Sequence, residues 1–165
     1  MGFSVDSFDP RQPRIVTPGG VPEVYTFKEG STQTYVAGMP VKLSSGVVVV
    51  ATDSTTGFLG IVQEDASGVA STAAHVQVVQ PSRDRVLALV TSGGTDALAS
   101  TLTVGEAYDF YMDSSVGLFY VDAADSSGGT LIFVQPVYDV NGDSTYWGIF
   151  ELLAGQAGGL DTDAA

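Results

Sequence analysis

From residue 23 onward the order of apolar and polar positions is that of a β protein. Residues 24–28 and 33–37 are rich in Val, Tyr, Thr and Phe, and Glu29-Gly30-Ser31-Thr32 between them reads as a turn. Residues 41–43 and 46–52 predict two strands joined across Ser44-Ser45. Residues 58–63 follow a turn-rich stretch at 53–57. In 74–80, Val76 and Val78 face one way and His75 and Gln77 the other, the period of two of a half-buried strand. Residues 85–91, 108–112, 117–121, 130–138 and 146–153 complete the series, with Tyr108, Phe110 and Met112 alternating with Asp109 and Tyr111. About ten short strands with turn signals between them predict an all-β fold, a compact barrel or sandwich. A helix is predicted only over 95–103, with Thr95 or Asp96 as cap and Leu98 and Leu102 at helical spacing.

Residues 1–22 follow a different rule. Pro10, Pro13, Pro18 and Pro22 each remove a backbone donor, and Gly19-Gly20 adds a joint, so helix and central strand are both excluded. The segment predicts an extended N-terminal arm. It still carries Phe3, Val5, Phe8, Ile15 and Val16, apolar groups with no core of their own to enter, and the cations Arg11 and Arg14. It reads either as a disordered terminus or as a strap whose apolar side chains dock on a neighbouring subunit. The β domain is expected at 23–153, as one unit or as two small subdomains at 23–68 and 69–153. The Gly-rich segment 154–165 is expected to be a flexible tail.

Composition narrows the function. A chain of 165 residues with 44% apolar residues can bury a core, which excludes disorder of the whole. There is no Cys, so disulfides, thiolate metal sites and Cys nucleophiles are excluded. The net charge is 6 − 19 = −13, which argues against a nucleic-acid partner. The arm is neutral (Arg11 and Arg14 against Asp6 and Asp9), so the whole surplus, 4 − 17 = −13, falls on residues 23–165. The start lacks a basic and apolar leader, and the longest apolar run, 47–51, is far below the ~20 residues that cross a bilayer. A chain made in the cytoplasm with no membrane partner is expected.

Candidate chemistry is thin. A Ser-His-acid site needs a His beside the nucleophile, and the one His, His75, sits in a predicted strand with no nucleophile elbow nearby. Metal sites built on His fail for the same lack of ligands. Glu64-Asp65 would point to opposite faces of a strand, and Asp109 and Asp113 share one face, but neither pair defines a working carboxylate separation. Asp139, Asn141 and Asp143 resemble a calcium loop, yet Ser144 and Phe150 stand where an EF-hand needs Gly and Glu. A type I′ hairpin at Asn141-Gly142 suits the segment better. Tyr108, Phe110, Tyr111, Phe119, Tyr120, Phe133, Tyr138, Tyr146 and Trp147 crowd the last third. They fill the core or form a glycan-stacking platform, with the core as the ordinary use of such rings. No enzyme and no cofactor are expected.

Several segments bear a family likeness. Thr26-Phe27-Lys28-Glu29-Gly30-Ser31-Thr32-Gln33-Thr34-Tyr35-Val36-Ala37-Gly38-Met39-Pro40-Val41-Lys42-Leu43-Ser44-Ser45-Gly46, read on through the valines 47–50 to Gly60-Ile61-Val62-Gln63-Glu64-Asp65-Ala66-Ser67-Gly68, resembles head decoration (cement) proteins of tailed bacteriophages. So do Leu102-Thr103-Val104-Gly105-Glu106-Ala107-Tyr108, Gly117-Leu118-Phe119-Tyr120-Val121-Asp122 and the late Asn141-Gly142-Asp143. About two thirds of the chain takes part, in hairpin rhythm rather than an invariant site; the Pro-rich arm and Gly-rich tail depart from it. The resemblance implies a non-enzymatic virion protein, a homotrimer on the capsid exterior, bridging neighbouring copies of the major capsid protein. The arm, through Phe3, Val5, Phe8, Arg11, Arg14, Ile15 and Val16, would supply the contact, and deletion of 2–20 would leave a folded domain. The alternative is a carbohydrate-binding or adhesion module on a virion or cell surface.

Overall fold

A computed structural model of the chain describes residues 13–51, 58–81, 83–113, 118–126 and 129–153. Among these residues the architecture is all-β, in two sheets that share a core. The chain enters through β1 (Arg14–Val16) and then builds a small barrel. Its strands are β2 (Glu23–Glu29), β3 (Pro40–Ser44), β4 (Val47–Val50), β5 (Phe58–Val62) and β6 (Ala73–Val78), closed in the order β2-β4-β3-β5-β6. The rest forms an eight-stranded mixed sheet from β7 (Arg85–Ser92), β8 (Thr95–Asp96), β9 (Ala107–Tyr108), β10 (Phe110–Asp113), β11 (Leu118–Asp122), β12 (Leu131–Tyr138) and β13 (Ser144–Leu152), together with β1. Its path runs β10-β11-β7-β13-β12-β9, with β1 and β8 both attached to β7. The seam between barrel and sheet falls at residues 79–84, not at 68/69, because β6 pairs with β2 and β5 and so belongs to the barrel.

Two turns show how local chemistry sets register. Ser45 (φ 51°) and Gly46 (φ 82°) both take the left-handed region, which makes the β3–β4 connection a two-residue type I′ turn, one residue later than expected. Asn141-Gly142 is not such a turn. Asn141 keeps a negative φ, the Gly142 N–H donates to the Asp139 carbonyl (3.1 Å), and only Gly142 turns left-handed, giving a type I turn with a glycine bulge.

The predicted strand at 33–37 is absent. That segment lies across the barrel end, where Tyr35 is buried in the barrel interior and its carbonyl accepts from Ala66 N–H (2.9 Å). Of its β-favouring side chains Tyr35 alone is buried, while Thr34 and Val36 are exposed, so the segment supplies a plug rather than a ladder. The predicted helix at 95–103 is also absent: left-handed Gly93 and Gly94 turn the chain into β8, and only a 3-10 turn at Ala99–Thr101 follows.

The barrel interior is filled by Tyr35, Met39, Val41, Val48, Leu59, Val62, Val76 and Val78. A second cluster joins barrel to sheet: Phe58 of β5 stacks on Phe119 of β11 (centroids 6.2 Å) and meets Phe110 of β10 (5.8 Å), while Phe133 packs on Phe150 (5.5 Å). Five of the nine late rings (Tyr108, Phe110, Phe119, Tyr120, Phe133) are buried, the ordinary use of such rings, and Phe150 is buried with them. Gly60 lets β5 and β6 close up, since a Cβ there would overlap the Gln77 carbonyl.

Candidate functional site

Of the arm residues named from the sequence, Phe3, Val5, Phe8 and Arg11 lie outside the described residues. Arg14, Ile15 and Val16 are described, and they form β1. The strand pairs antiparallel with β7, Ile15 opposite Val86, and its side chains alternate: Ile15 is buried, Arg14 and Val16 face outward. Ile15 therefore does have a core to enter, the cluster that also holds Phe58, Ile61 and Val86. The physical reason is tertiary: β7 leaves half an edge free beside the barrel, and one apolar side chain closes it. Residues 14–17 belong to the fold, so a 2–20 deletion would strip a strand from the sheet as well as remove the arm.

A polar clasp fixes this root. Asp84 is fully buried and accepts from the Thr17 hydroxyl (2.8 Å), the Gln80 N–H (2.9 Å) and Arg83 through Nε (2.9 Å) and Nη2 (3.2 Å). Burial alone would raise its pKa. The Arg83, Gln80 and Thr17 hydrogen bonds outweigh it and hold the carboxyl below its ordinary value. Arg83 also donates to Glu23 (3.2 Å), which accepts from the Tyr25 hydroxyl (2.7 Å), so the clasp reaches the start of β2.

Two cavities flank the root. One of about 370 Å³ lies between it and the barrel wall, lined by Pro13, Ile15, Pro22, Gly38, Ile61 and Gln77 among others. The other, about 220 Å³, opens on the outer face of the sheet and is lined by Arg14, Leu87, Val137 and Trp147. On that face Trp147 packs on Leu89 and Tyr120, and Arg85 pairs with Glu151 (2.8 Å). The sheet thus has an apolar seam on the side away from the core, with Val16 half exposed at its edge.

A second buried carboxylate does structural work at the barrel end. Glu29, 2% exposed, accepts from the Ser67 N–H (3.0 Å) and hydroxyl (3.1 Å) and the Gly68 N–H (2.7 Å), pinning the loop after β5. Burial raises its pKa, but these bonds outweigh it and the net direction is down. The Tyr35 phenol lies beside it without a well-formed hydrogen bond, and burial followed by the Glu29 charge pushes that phenol up to about 12.

The remaining candidates resolve into local structure. His75 is exposed and its Nδ1 meets Glu64 at 3.0 Å, while Asp65 accepts from the Ala37 N–H (3.0 Å). Asp139 accepts from the Asn141 and Asp143 N–H groups (2.8 and 3.0 Å), which is turn chemistry. No cluster of three or more metal-ligating side chains occurs among the described residues. Tyr138 and Tyr146 are exposed on the β12–β13 hairpin.

Sequence reasoning missed Thr17, Asp84, Leu87 and Val137. The one signal for Asp84 was Arg83-Asp84-Arg85, two of the body's four cations around one acid in a chain with only 15% charged residues. Compared with family models and with curated proteins, the chain matches none.

Proposed function

We propose that this is a structural virion protein, a decoration protein that binds the outer surface of a tailed-phage head and bridges neighbouring major capsid subunits. The observation that carries the proposal is the rooted arm. The segment before Pro13, with Phe3, Val5 and Phe8, issues from a strand that is built into the sheet, clasped through Thr17 to Asp84, and bordered by the Arg14–Leu87–Val137–Trp147 cavity. A tether that bears load between two bodies needs such an anchor, because an unanchored end would peel before the contact yields. Extended segments bind through main-chain hydrogen bonds and alternate side-chain pockets, and many copies on a lattice add avidity. The all-β body and the likeness in hairpin rhythm support the same assignment.

The test uses undecorated heads of the tailed phage that encodes the chain. Full-length protein should co-sediment saturably with the heads, and a variant lacking residues 2–12 should keep its melting temperature but bind roughly tenfold more weakly or not at all. Equal binding by the truncated protein removes the arm from the contact, and no binding by the full chain removes the decoration role. The exposed Tyr138 and Tyr146 favour the carbohydrate-binding alternative; glycan binding by the free protein that is lost on Tyr138→Ala with Tyr146→Ala would establish it instead.

A further inference from the structure

The barrel is closed on one side by very little. β2 pairs with β4 only at Lys28↔Val47 and Glu29↔Val48, because β4 starts at the type I′ turn and runs away from the first half of β2. On its other side β2 pairs with β6 from Glu23↔Val78 to Lys28↔Ala73. Among the described residues nothing else pairs there, so 23–27 form an edge; Glu23, Val24, Tyr25 and Thr26 are exposed, and Phe27 is partly buried against the barrel core.

The hydrogen-bonding parity of that edge can be read from its neighbour. The His75 carbonyl accepts from Gln63 N–H (2.9 Å) and the His75 N–H donates to Glu64, so His75 turns its backbone groups toward β5 and away from β2. Thr26, opposite His75, and Val24, opposite Gln77, must then turn theirs away from β6, into the open edge. Tyr25 and Phe27 spend theirs on the ladder with β6. The window has fixed ends: Pro22 has no N–H to offer, and from Lys28 the edge is taken by β4.

We propose that this edge pairs with the same edge of a second copy, antiparallel, on a twofold axis through Tyr25. The window 23–27 is centred on Tyr25, so its full-length self-pairing puts Val24 opposite Thr26 of the other copy and Thr26 opposite Val24. Both are residues whose N–H and C=O point outward, and the two pairs close four mutual hydrogen bonds. Tyr25 meets its own symmetry mate at the central non-hydrogen-bonded position, where side chains are closest and aromatic pairs stabilise a sheet. Glu23 faces Phe27 rather than another acid, and its charge is already answered by Arg83, so this acidic chain meets itself where no like charges oppose. Val-Tyr-Thr-Phe is also the composition such a ladder favours.

The contact is read in the free protein, independently of any head binding. The chain has no Cys, so Tyr25→Cys introduces one thiol. Opposed Cα atoms at a non-hydrogen-bonded pair lie ~4.5 Å apart, within disulfide reach, whereas position 26 and its mate are offset by two residues, about 7 Å along the strand, and are beyond it. Mild oxidation should convert Tyr25→Cys largely to a covalent dimer and leave Thr26→Cys monomeric. Thr26→Pro removes an outward N–H that the β2–β6 ladder does not use; by sedimentation over a concentration series it should weaken the dimer roughly tenfold or more at an unchanged melting temperature. Should Thr26→Pro fail to fold, Val24→Lys with Thr26→Lys makes the same test by like-charge repulsion. Equal crosslinking at positions 25 and 26, or an assembly untouched by both edge variants, overturns the proposal. So does a free protein that is monomeric but loses head binding with Thr26→Pro, since the edge would then take a foreign strand.

Discussion

Asp84→Asn tests whether the arm root depends on one buried charge. The substitution keeps the side chain's shape but leaves one acceptor oxygen where there were two. An amide oxygen at Oδ1 can still accept from Thr17 and from Arg83 Nε, and the new NH₂ then faces two donors, Gln80 N–H and Arg83 Nη2. Arg83 is partly exposed and its free end can turn to water, so the cost concentrates on the orphaned Gln80 N–H and on the lost charge-assisted bonds. Charge-assisted bonds contribute about 1.5–3 kcal/mol each and a stranded buried donor costs about 1–3 kcal/mol. A net loss of about 2–3 kcal/mol is expected. For a chain of this size that lowers the melting temperature by roughly 4–12 °C.

Urea denaturation as a function of pH separates the charge from the shape. The folded pKa of Asp84 is depressed, so its contribution is fully present above the unfolded value near ~3.9 and is lost as pH falls through the folded value. The gap between wild type and Asp84→Asn should be constant from neutral pH down to about 5 and close progressively below about 4. Thr17→Val should cost about 1 kcal/mol alone and add little on top of Asp84→Ala, which removes the acceptor altogether. A gap that stays flat into acid, or full additivity of the two changes, would refute the clasp.

Two further outcomes check the fold that carries these surfaces. Gly60→Ala should destabilise by about 3 kcal/mol or more, because the added Cβ overlaps the Gln77 carbonyl backbone and cannot be relieved by a rotamer change; a melting temperature within a degree or so of wild type would contradict the close β5–β6 approach. Glu29→Gln should raise amide hydrogen exchange at Ser67 and Gly68 about tenfold while sparing β7 and β13, since the carboxylate is what those two amides donate to. Wild type should show the same loosening as pH falls through the depressed Glu29 pKa, and unchanged exchange in the variant would mean the loop is held by its backbone bonds alone.

Where local chemistry decides, the sequence was readable. The Val76/Val78 alternation, the valines at 47–50 and the turn before β4 act over a few residues, and the strands they define are present. The misses share a cause. Residues 33–37 have strand composition, but Tyr35 is worth more as a plug in the barrel than as a rung, and no local pattern encodes that choice. Ile15 looked stranded because its core is assembled from β5 and β7, some 45 and 70 residues downstream. Trp147 was counted among rings that fill cores, yet it packs on the outer face, because β13 presents its even positions, Phe150 and Leu152, to the interior. Position on a strand was legible; which face the fold would bury was settled only by what arrived on the other side.

Charge favours the open edge and the outer seam over broad faces for the contacts proposed above. Residues 23–165 carry four cations against seventeen acids, and two of those cations are engaged, Arg83 by Asp84 and Glu23, Arg85 by Glu151. Most of the remaining acid has no cation to offset it, so two such bodies brought face to face repel over any separation shorter than the ~8 Å screening length at physiological salt. Contact is affordable only where acid is absent or already answered. The cavity lined by Arg14, Leu87, Val137 and Trp147 has no carboxylate, and the β2 edge has one, already bonded to Arg83. These are also the places where the fold leaves strand edges or apolar seams uncovered. On the two contacts proposed above, an acidic body would be held apart from its neighbours everywhere except at those points, which would fix the geometry of an array without requiring any contact to be large.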